Sequence, residues 1–441
     1  MMSLQSIKNK LSSGQSLRIL FINDLGFQYG AGLALLRQIQ SFLLMGHDVA
    51  ALCWTPGAEE ENVPFIPAKA TGSWLGMSGL PYLHSHYGVS QSSIIDSIVL
   101  EASLRYPDVI ILGNLHGAGW SLRLLPALQS LGCVVIAFLH DCYLMTGRCA
   151  YPGECHRYEI GCNDNCPTWE QYPSLAPDKI FDEWVLRREI FCGSQGVPLA
   201  ANSQWTLKMA RQALTGLHYA DCVYYGLDEQ LFRKIDKSLA RQLLGIPQDC
   251  FVILGGAVNM SDNRKGGQLF CEIVSQLQQK AHFVVFGAKS HQIKGVQGTG
   301  LLRDYRKMPL IYSAADIFVG TSLEEAFGQT FCEAAACSLP VVAFNIGGIP
   351  EIARHDVNAR LANEISAKAL LNEIDFFMKS PAKCQEFGRA GRTIVEEEFT
   401  LKAQGERWID YLKRVVQLEK TDALGVAAKA SARKESFAKF D

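Results

Sequence analysis

The 441-residue chain is expected to be an α/β protein of two Rossmann-like, doubly wound domains facing a cleft, and three observations carry that expectation. Short apolar runs of the kind found in buried parallel strands recur along it. Helical patterns separate them, so strand, helix and strand alternate as in βαβ units. The alternation also forms two series that meet near Asp228, and the length suits two or three domains better than one.

The first series opens with an apolar run at 17–23, which leads into Gly26, Gly30 and Gly32. A helical pattern at 34–44 and a strand at 49–54 complete one βαβ unit. Strands at 109–113 and 134–140 follow, with a helix at 122–131 between them, and strands at 199–202 and 221–225 close the series. The second series has strands at 251–256, 283–287, 317–320 and 340–344. Helices at 268–280, 309–315 and 330–336, and others from Ala367 onward, are interleaved with them. The expected division is a domain over 16–228, a second over 229–400, a helix over 401–420 and a frayed tail over 421–441. Ligands of such sheets bind beyond the carboxyl ends of the strands, so the cleft is the expected site.

Apolar residues make up 48% of the chain and charged residues 20%, enough to build large cores. The net charge of −2 leaves no footprint for nucleic acid. Residues 1–228 carry a net −5 and the remainder a net +3, so the positive excess lies in the second half. The longest apolar runs fall well short of the roughly 20 residues that span a bilayer. The polar start, residues 1–15, does not read as a signal peptide, and a cytoplasmic protein is the default expectation. The 14 cysteines would then be mostly reduced.

From Tyr312 the chain reads YSAADIFVGTSLEEAFGQTFCEAAACSLPVVAFNIGGIPEIA. Glu325 is followed by Phe327-Gly328 and, eight positions on, by Glu333, with an alanine-rich helix and an apolar strand behind. Phe327-Gly328 falls at a loop-to-helix junction, where free backbone N–H groups and the helix dipole attract an anion. Glu333 follows Glu325 by about two helical turns, so the two carboxylates can grip different hydroxyl pairs of one ligand. A carboxylate decorating a helix N-terminus is the plainer reading of Glu333 taken alone.

This segment resembles the donor-site signature of the family 4 retaining glycosyltransferases, and the likeness extends from about Leu17 to about Leu412. The resemblance implies the GT-B fold and transfer of a sugar from a UDP- or GDP-linked nucleotide-sugar to a saccharide or lipid-linked saccharide acceptor. It implies that Glu325 holds the transferred sugar and Glu333 the ribose, with Phe327, Gly328 and Gln329 in the donor segment. Gly30 and Gly32 resemble the glycine loop that approaches the diphosphate from the opposite domain. Asn263-Arg264-Lys265-Gly266-Gly267 resembles the element that neutralises the diphosphate, with Asn259 where many members carry arginine. His140, at the end of its strand, falls where the family has a functional histidine; Asp141 is expected to orient the loop. Tyr225-Gly226-Leu227-Asp228 resembles the interdomain hinge, with tyrosine replacing asparagine. Ser338 and Ala359 stand where glycine is usual.

The resemblance further implies retention of configuration by front-face attack, with the leaving phosphate taking the acceptor's proton. No protein nucleophile or catalytic metal is then expected, and no Asp-x-Asp motif is present. Base contacts are expected from loops at 287–290 and 302–306. A role in bacterial polysaccharide or glycoconjugate synthesis, with peripheral attachment to the inner membrane face, fits such an acceptor. An epimerase of the same fold would interconvert the donor sugar without acceptor. A non-catalytic sugar-nucleotide-binding relative would bind donor without turnover.

Cys149, Cys155, Cys162 and Cys166 lie within eighteen residues, in an insertion over about 142–167. The insertion resembles one in a sub-branch of exopolysaccharide and O-antigen transferases. Four thiolates suit a structural zinc ion that stiffens a loop poor in apolar residues, and His156 could replace one of them. Reduced or redox-paired thiols without metal are the alternative. His116 could touch the acceptor or simply cap a strand, Trp120 and Trp205 are read as packing residues rather than sugar platforms, and 401–416 is read as an amphipathic helix returning to the N-terminal domain.

Overall fold

The computed structural model describes residues 4–27, 29–55, 76–79, 91–302 and 304–418. Among them thirteen strands form two all-parallel sheets. The first sheet contains β1 (Arg18–Leu25), β2 (Asp48–Thr55), β3 (Gly76–Gly79), β4 (Val109–Leu112), β5 (Val134–Leu139), β6 (Leu199–Ala201) and β7 (Ala220–Cys222). The second contains β8 (Val252–Asn259), β9 (His282–Ala288), β10 (Gln297–Gly300), β11 (Ile317–Gly320), β12 (Val341–Phe344) and β13 (Ala359–Ala362).

Strand order is β3-β2-β1-β4-β5-β6-β7 in one sheet and β10-β9-β8-β11-β12-β13 in the other. The first six strands of the N-terminal sheet thus repeat the order of the C-terminal sheet. Each sheet reverses direction of growth beside its first strand, between β1 and β4 and between β8 and β11. A crevice opens at such a switch point beyond the strand ends. The central strands are buried throughout: β4 and β5 read VIIL and VVIAFL with every residue inside, as strands covered by helices on both faces require.

Several elements lie outside the sequence expectation. The helix after β1 starts at Tyr29, so Gly30 and Gly32 belong to its first turn and not to a preceding loop. A Cβ on Gly32 would meet the Gly26 carbonyl oxygen at 1.8 Å, so this glycine lets the helix sit against its own entry. β10 and β13 are short strands without an apolar run (QGTG and ARLA), and the sheet assigns them by pairing alone. The polar start of the chain holds a helix, Leu4–Ser13, anchored by buried Ile7. Ser338 does adopt a left-handed backbone (φ +56°), whereas Ala359 is simply extended in β13. The tail from Thr421 lies outside the described residues.

The domains are joined by packing as well as by chain. Leu227 N–H donates to the Phe399 carbonyl at 2.9 Å and Leu401 N–H to the Leu227 carbonyl at 3.1 Å. The helix at 401–418 then lies against the N-terminal domain. Its fully buried Trp408 packs on Phe42 and Phe138, at ring distances of 5.6 and 5.5 Å. One apolar core runs continuously from β1 and β5 through this junction to the helix Gln329–Ala336.

Candidate functional site

At the C-terminal switch point a short turn follows β8. Asp262 accepts the Arg264 N–H at 3.0 Å, Thr321 donates to the Lys265 carbonyl at 2.9 Å, and Leu323 N–H donates to the Arg264 carbonyl at 2.7 Å. These bonds tie the turn to the segment after β11 and set Lys265 Nζ 2.5 Å from Glu325 Oε2. Burial pushes the Glu325 carboxyl up. Lys265, then Arg264, and hydrogen bonds from Lys265 and Ser322 outweigh that and hold it below the usual carboxylate range. Glu325 is therefore an anion flanked by two cations.

Behind it, Gly348 N–H donates to the Glu325 carbonyl at 2.9 Å. The helix Gln329–Ala336 starts from Gly328, whose left-handed backbone (φ +96°) suits glycine. No side chain caps this end, and the first N–H groups of a helix have no partner within it. Lys265, Arg264, Glu325 and this helix start form one ligand-sized cluster that can hold an anion and hydroxyls together.

Three donor-segment residues make contacts of their own within the protein. Phe327 is core: it packs edge-on against Tyr225 at 5.0 Å and against Phe399 at 5.9 Å. Gln329 bridges the domains, donating to the Gly30 carbonyl at 2.7 Å and accepting from Arg37 at 2.7 Å. Gly30 thus meets the donor-segment helix directly. Glu333 is buried and held by Arg37 Nη2 at 2.5 Å and by the Tyr312 hydroxyl at 2.9 Å. Burial would lower the Arg37 pKa, but Glu333 keeps it raised. Sequence reasoning missed Arg37; a lone cation inside the apolar pattern ALLRQIQSFLL was the available signal.

Across the cleft, His140 follows β5 and lies against Tyr225, Nδ1 to Oη at 2.5 Å. Burial lowers its pKa to about 4, so it is neutral near pH 7. Asn202 also donates to the Tyr225 oxygen at 3.4 Å, so the phenol is shared between the two, and Nε2 is the ring nitrogen that Tyr225 does not engage. A Cβ on Gly113 would lie 2.8 Å from that Nε2, which therefore faces the gap beyond β4.

Beside it is a second cluster. His116 contacts Asp141 at 3.1 Å and the Tyr172 hydroxyl at 2.8 Å, while buried Asp24 accepts from Gly117 N–H at 2.8 Å. Burial lowers the His116 pKa, yet Asp141 and then Asp24 raise it overall. His116 and Asp141 thus form one polar pair beside His140.

The zinc expectation does not fit. Among the described residues no group of three or more His, Cys, Asp or Glu side chains is placed to hold a metal ion. All four insertion cysteines have free thiols. Cys162 Sγ accepts from Gly147 N–H at 3.3 Å and Cys166 faces the Thr168 hydroxyl at 3.8 Å. Arg148, buried among them, donates to the Thr168 carbonyl at 2.6 Å and lies 3.8 Å from Cys149 Sγ. Of the loops expected to contact the base, 287–290 does follow the carboxyl end of β9, whereas Arg303 lies outside the described residues.

Comparison with known proteins follows the same division of the chain. Residues 250–380 match the family model "Glycosyl transferases group 1". Alpha-maltose-1-phosphate synthase of Mycobacterium tuberculosis is 32% identical over 111 residues, 24% of this chain and 29% of that protein. D-inositol 3-phosphate glycosyltransferase of Segniliparus rotundus is 26% identical over 192 residues, 39% and 42% of the two chains. The chain thus spans less than half the length of these curated relatives.

Solved structures match over both domains. A sucrose-phosphate synthase from Thermosynechococcus elongatus superposes with a TM-score of 0.68 at 16% identity, covering 90% of this chain and 99% of that one. Anabaena HepE in complex with UDP-glucose gives 0.67 at 20% identity, covering 90% and 100%. No described helix is long and apolar enough to cross a membrane. Residues 250–380 are thus similar to the glycosyl transferases group 1 family, and the chain that carries them has the GT-B fold.

Proposed function

We propose that the chain is a retaining glycosyltransferase that moves a sugar from a nucleoside diphosphate sugar to a hydroxyl of a saccharide or lipid-linked saccharide. The observation that carries this reading is the Lys265–Glu325 pair at 2.5 Å beside an uncapped helix start at Gly328. One carboxylate for sugar hydroxyls, two cations and free N–H groups for a diphosphate match the two halves of such a donor. Charge develops on the leaving diphosphate as the sugar departs, and Lys265 and Arg264 stabilise it there.

The leaving phosphate then takes the acceptor's proton on the same face, which preserves the anomeric configuration. Neutral His140 presents an N–H to the transferred sugar from the opposite domain. Glu333 takes the ribose once Arg37 releases one of its oxygens. Closure of the domains excludes the water that would hydrolyse the donor. An acceptor at the inner membrane face, in polysaccharide or glycoconjugate synthesis, agrees with this chemistry.

The test is release of nucleoside diphosphate from UDP- and GDP-sugars with a panel of saccharide and lipid-linked acceptors. UDP-glucose comes first, because HepE, of similar fold, was crystallised with it. The anomeric configuration of the product is then read by NMR. An inverted product overturns the retaining mechanism. Interconversion of the donor sugar without acceptor marks an epimerase, and binding without turnover a non-catalytic relative.

A further inference from the structure

The cysteine-bearing insertion belongs to the N-terminal domain, yet its Tyr151-Pro152-Gly153 segment reaches the donor-side turn of the other. The Arg264 guanidinium lies over the Tyr151 ring, 4.0 Å from its centroid. Two residues on, Gly153 N–H donates to Glu324 Oε1 at 2.7 Å. The remaining contacts of Arg264 are weak: Asp262 Oδ2 at 3.2 Å and the Glu324 carbonyl at 3.4 Å. The aromatic face is therefore the surface that fixes the plane of this cation.

A guanidinium recognises phosphate through two parallel N–H groups, so its orientation decides whether it binds in a forked manner or only as a diffuse charge. The insertion acts on the carboxylates as well. Gly153 also fixes the Glu324 carboxylate, which acts on the Arg264 charge. Lys265 needs no such support, because Glu325 orients it directly at 2.5 Å. The turn is itself anchored on both sides of the arm, since Cys142 N–H donates to the Ala150 carbonyl at 2.8 Å and Cys155 N–H to the Pro152 carbonyl at 3.1 Å.

We infer that Tyr151 is a positioning residue for the diphosphate, holding Arg264 in the plane from which it grips the phosphates of the donor. This rests on the donor reading proposed above and adds to it a part supplied by the opposite domain. It also gives the insertion a role other than metal binding: it is an arm that completes the phosphate subsite when the domains are closed.

The experiment is calorimetric titration of the full chain with UDP, GDP and the corresponding nucleosides, on the unaltered protein and on Tyr151→Phe, Tyr151→Leu and Tyr151→Ala. Thermal unfolding checks that each variant is folded. Tyr151→Phe keeps the ring and is expected to bind within about twofold of the unaltered chain. Tyr151→Leu and Tyr151→Ala are expected to weaken the diphosphate about tenfold while nucleoside affinity stays the same. Unchanged diphosphate affinity in Tyr151→Leu and Tyr151→Ala overturns the inference and leaves the donor reading standing. An equal loss for nucleoside and diphosphate also overturns it, because the effect is then general packing. If neither UDP nor GDP binds the unaltered chain, the donor reading falls and takes the inference with it.

Discussion

The two faces of the cleft have the same scaffold and different chemistry. Both are crevices where a parallel sheet reverses its order, β1 against β4 on one side and β8 against β11 on the other. The C-terminal face carries Lys265 and Arg264 around Glu325, with an uncapped helix start beside them. The N-terminal face carries neutral His140 on Tyr225, and the His116–Asp141 pair beside buried Asp24 and Tyr172. The topology fixes where a ligand can lie, and the few residues just past each strand decide what kind of ligand it is. The first gathers cations around one carboxylate, and the second gathers polar groups that make directed hydrogen bonds.

The contrast can be broken most severely on the C-terminal face. Glu325→Ala and Lys265→Ala are each expected to lower transfer at least about a thousandfold, measured as diphosphate release with acceptor present. Thermal unfolding checks that both variants remain folded. Retention of full activity in either would remove the basis for the assignment.

Next in size is the contact that ties the faces together. Arg37 and Glu333 are both buried, and removing one partner strands the other's charge. Arg37→Met is expected to destabilise the chain by ~3 kcal/mol in chemical denaturation. The double variant Arg37→Met, Glu333→Leu should recover most of that, since an apolar pair of similar volume is often neutral. A single variant as stable as the parent would mean that the pair does not hold the closed state.

The smallest effect belongs to the N-terminal face. Burial lowers the His140 pKa to about 4, against an ordinary 6.5. As the pH falls from 6.5, the unfolded chain takes up a proton there and the folded chain does not. The contribution of His140 is thus intact above pH 6.5 and is lost as the pH falls towards 4. Relative to His140→Gln, the parent is expected to lose roughly 2 kcal/mol between pH 6.5 and 5. Parallel stability curves for the two proteins over that window would show that His140 is not buried neutral. Taking the difference removes the opposing shifts of His116 and Asp24, which are common to both proteins.

The elements that were legible in the sequence are those whose signal is local. Buried parallel strands announce themselves as apolar runs, and β11 is found at the expected residues 317–320. Lys265 and Glu325 were legible because a spaced motif surrounds them. β10 and β13 were not, since QGTG and ARLA acquire strand geometry only from their neighbours. Arg37 and Tyr151 were illegible for a similar reason. Their partners, Glu333 and Arg264, lie in the other domain, and no spacing rule spans that distance. For Gln329 and Phe327 the motif marks a segment only, and tertiary packing decides which way each side chain turns: Phe327 into the core and Gln329 towards Gly30 and Arg37. Four clustered cysteines suggested zinc, but spacing alone could not reveal that no three of the described His, Cys, Asp or Glu side chains are placed to hold a metal ion.

The junction at Leu227 also constrains how the molecule can move. The chain passes between domains once there and returns at Thr400, and the two passages are hydrogen-bonded side by side. Two adjacent pins define an axle. A relative motion that keeps these bonds is a swing about that point rather than a slide or a twist. A swing moves remote points most, so the Arg37–Glu333 contact and the Tyr151–Arg264 stack would part by amounts set by their distance from the axle. Labels on the outer rims of the domains would report the motion best, and labels near Phe399 would hardly register it.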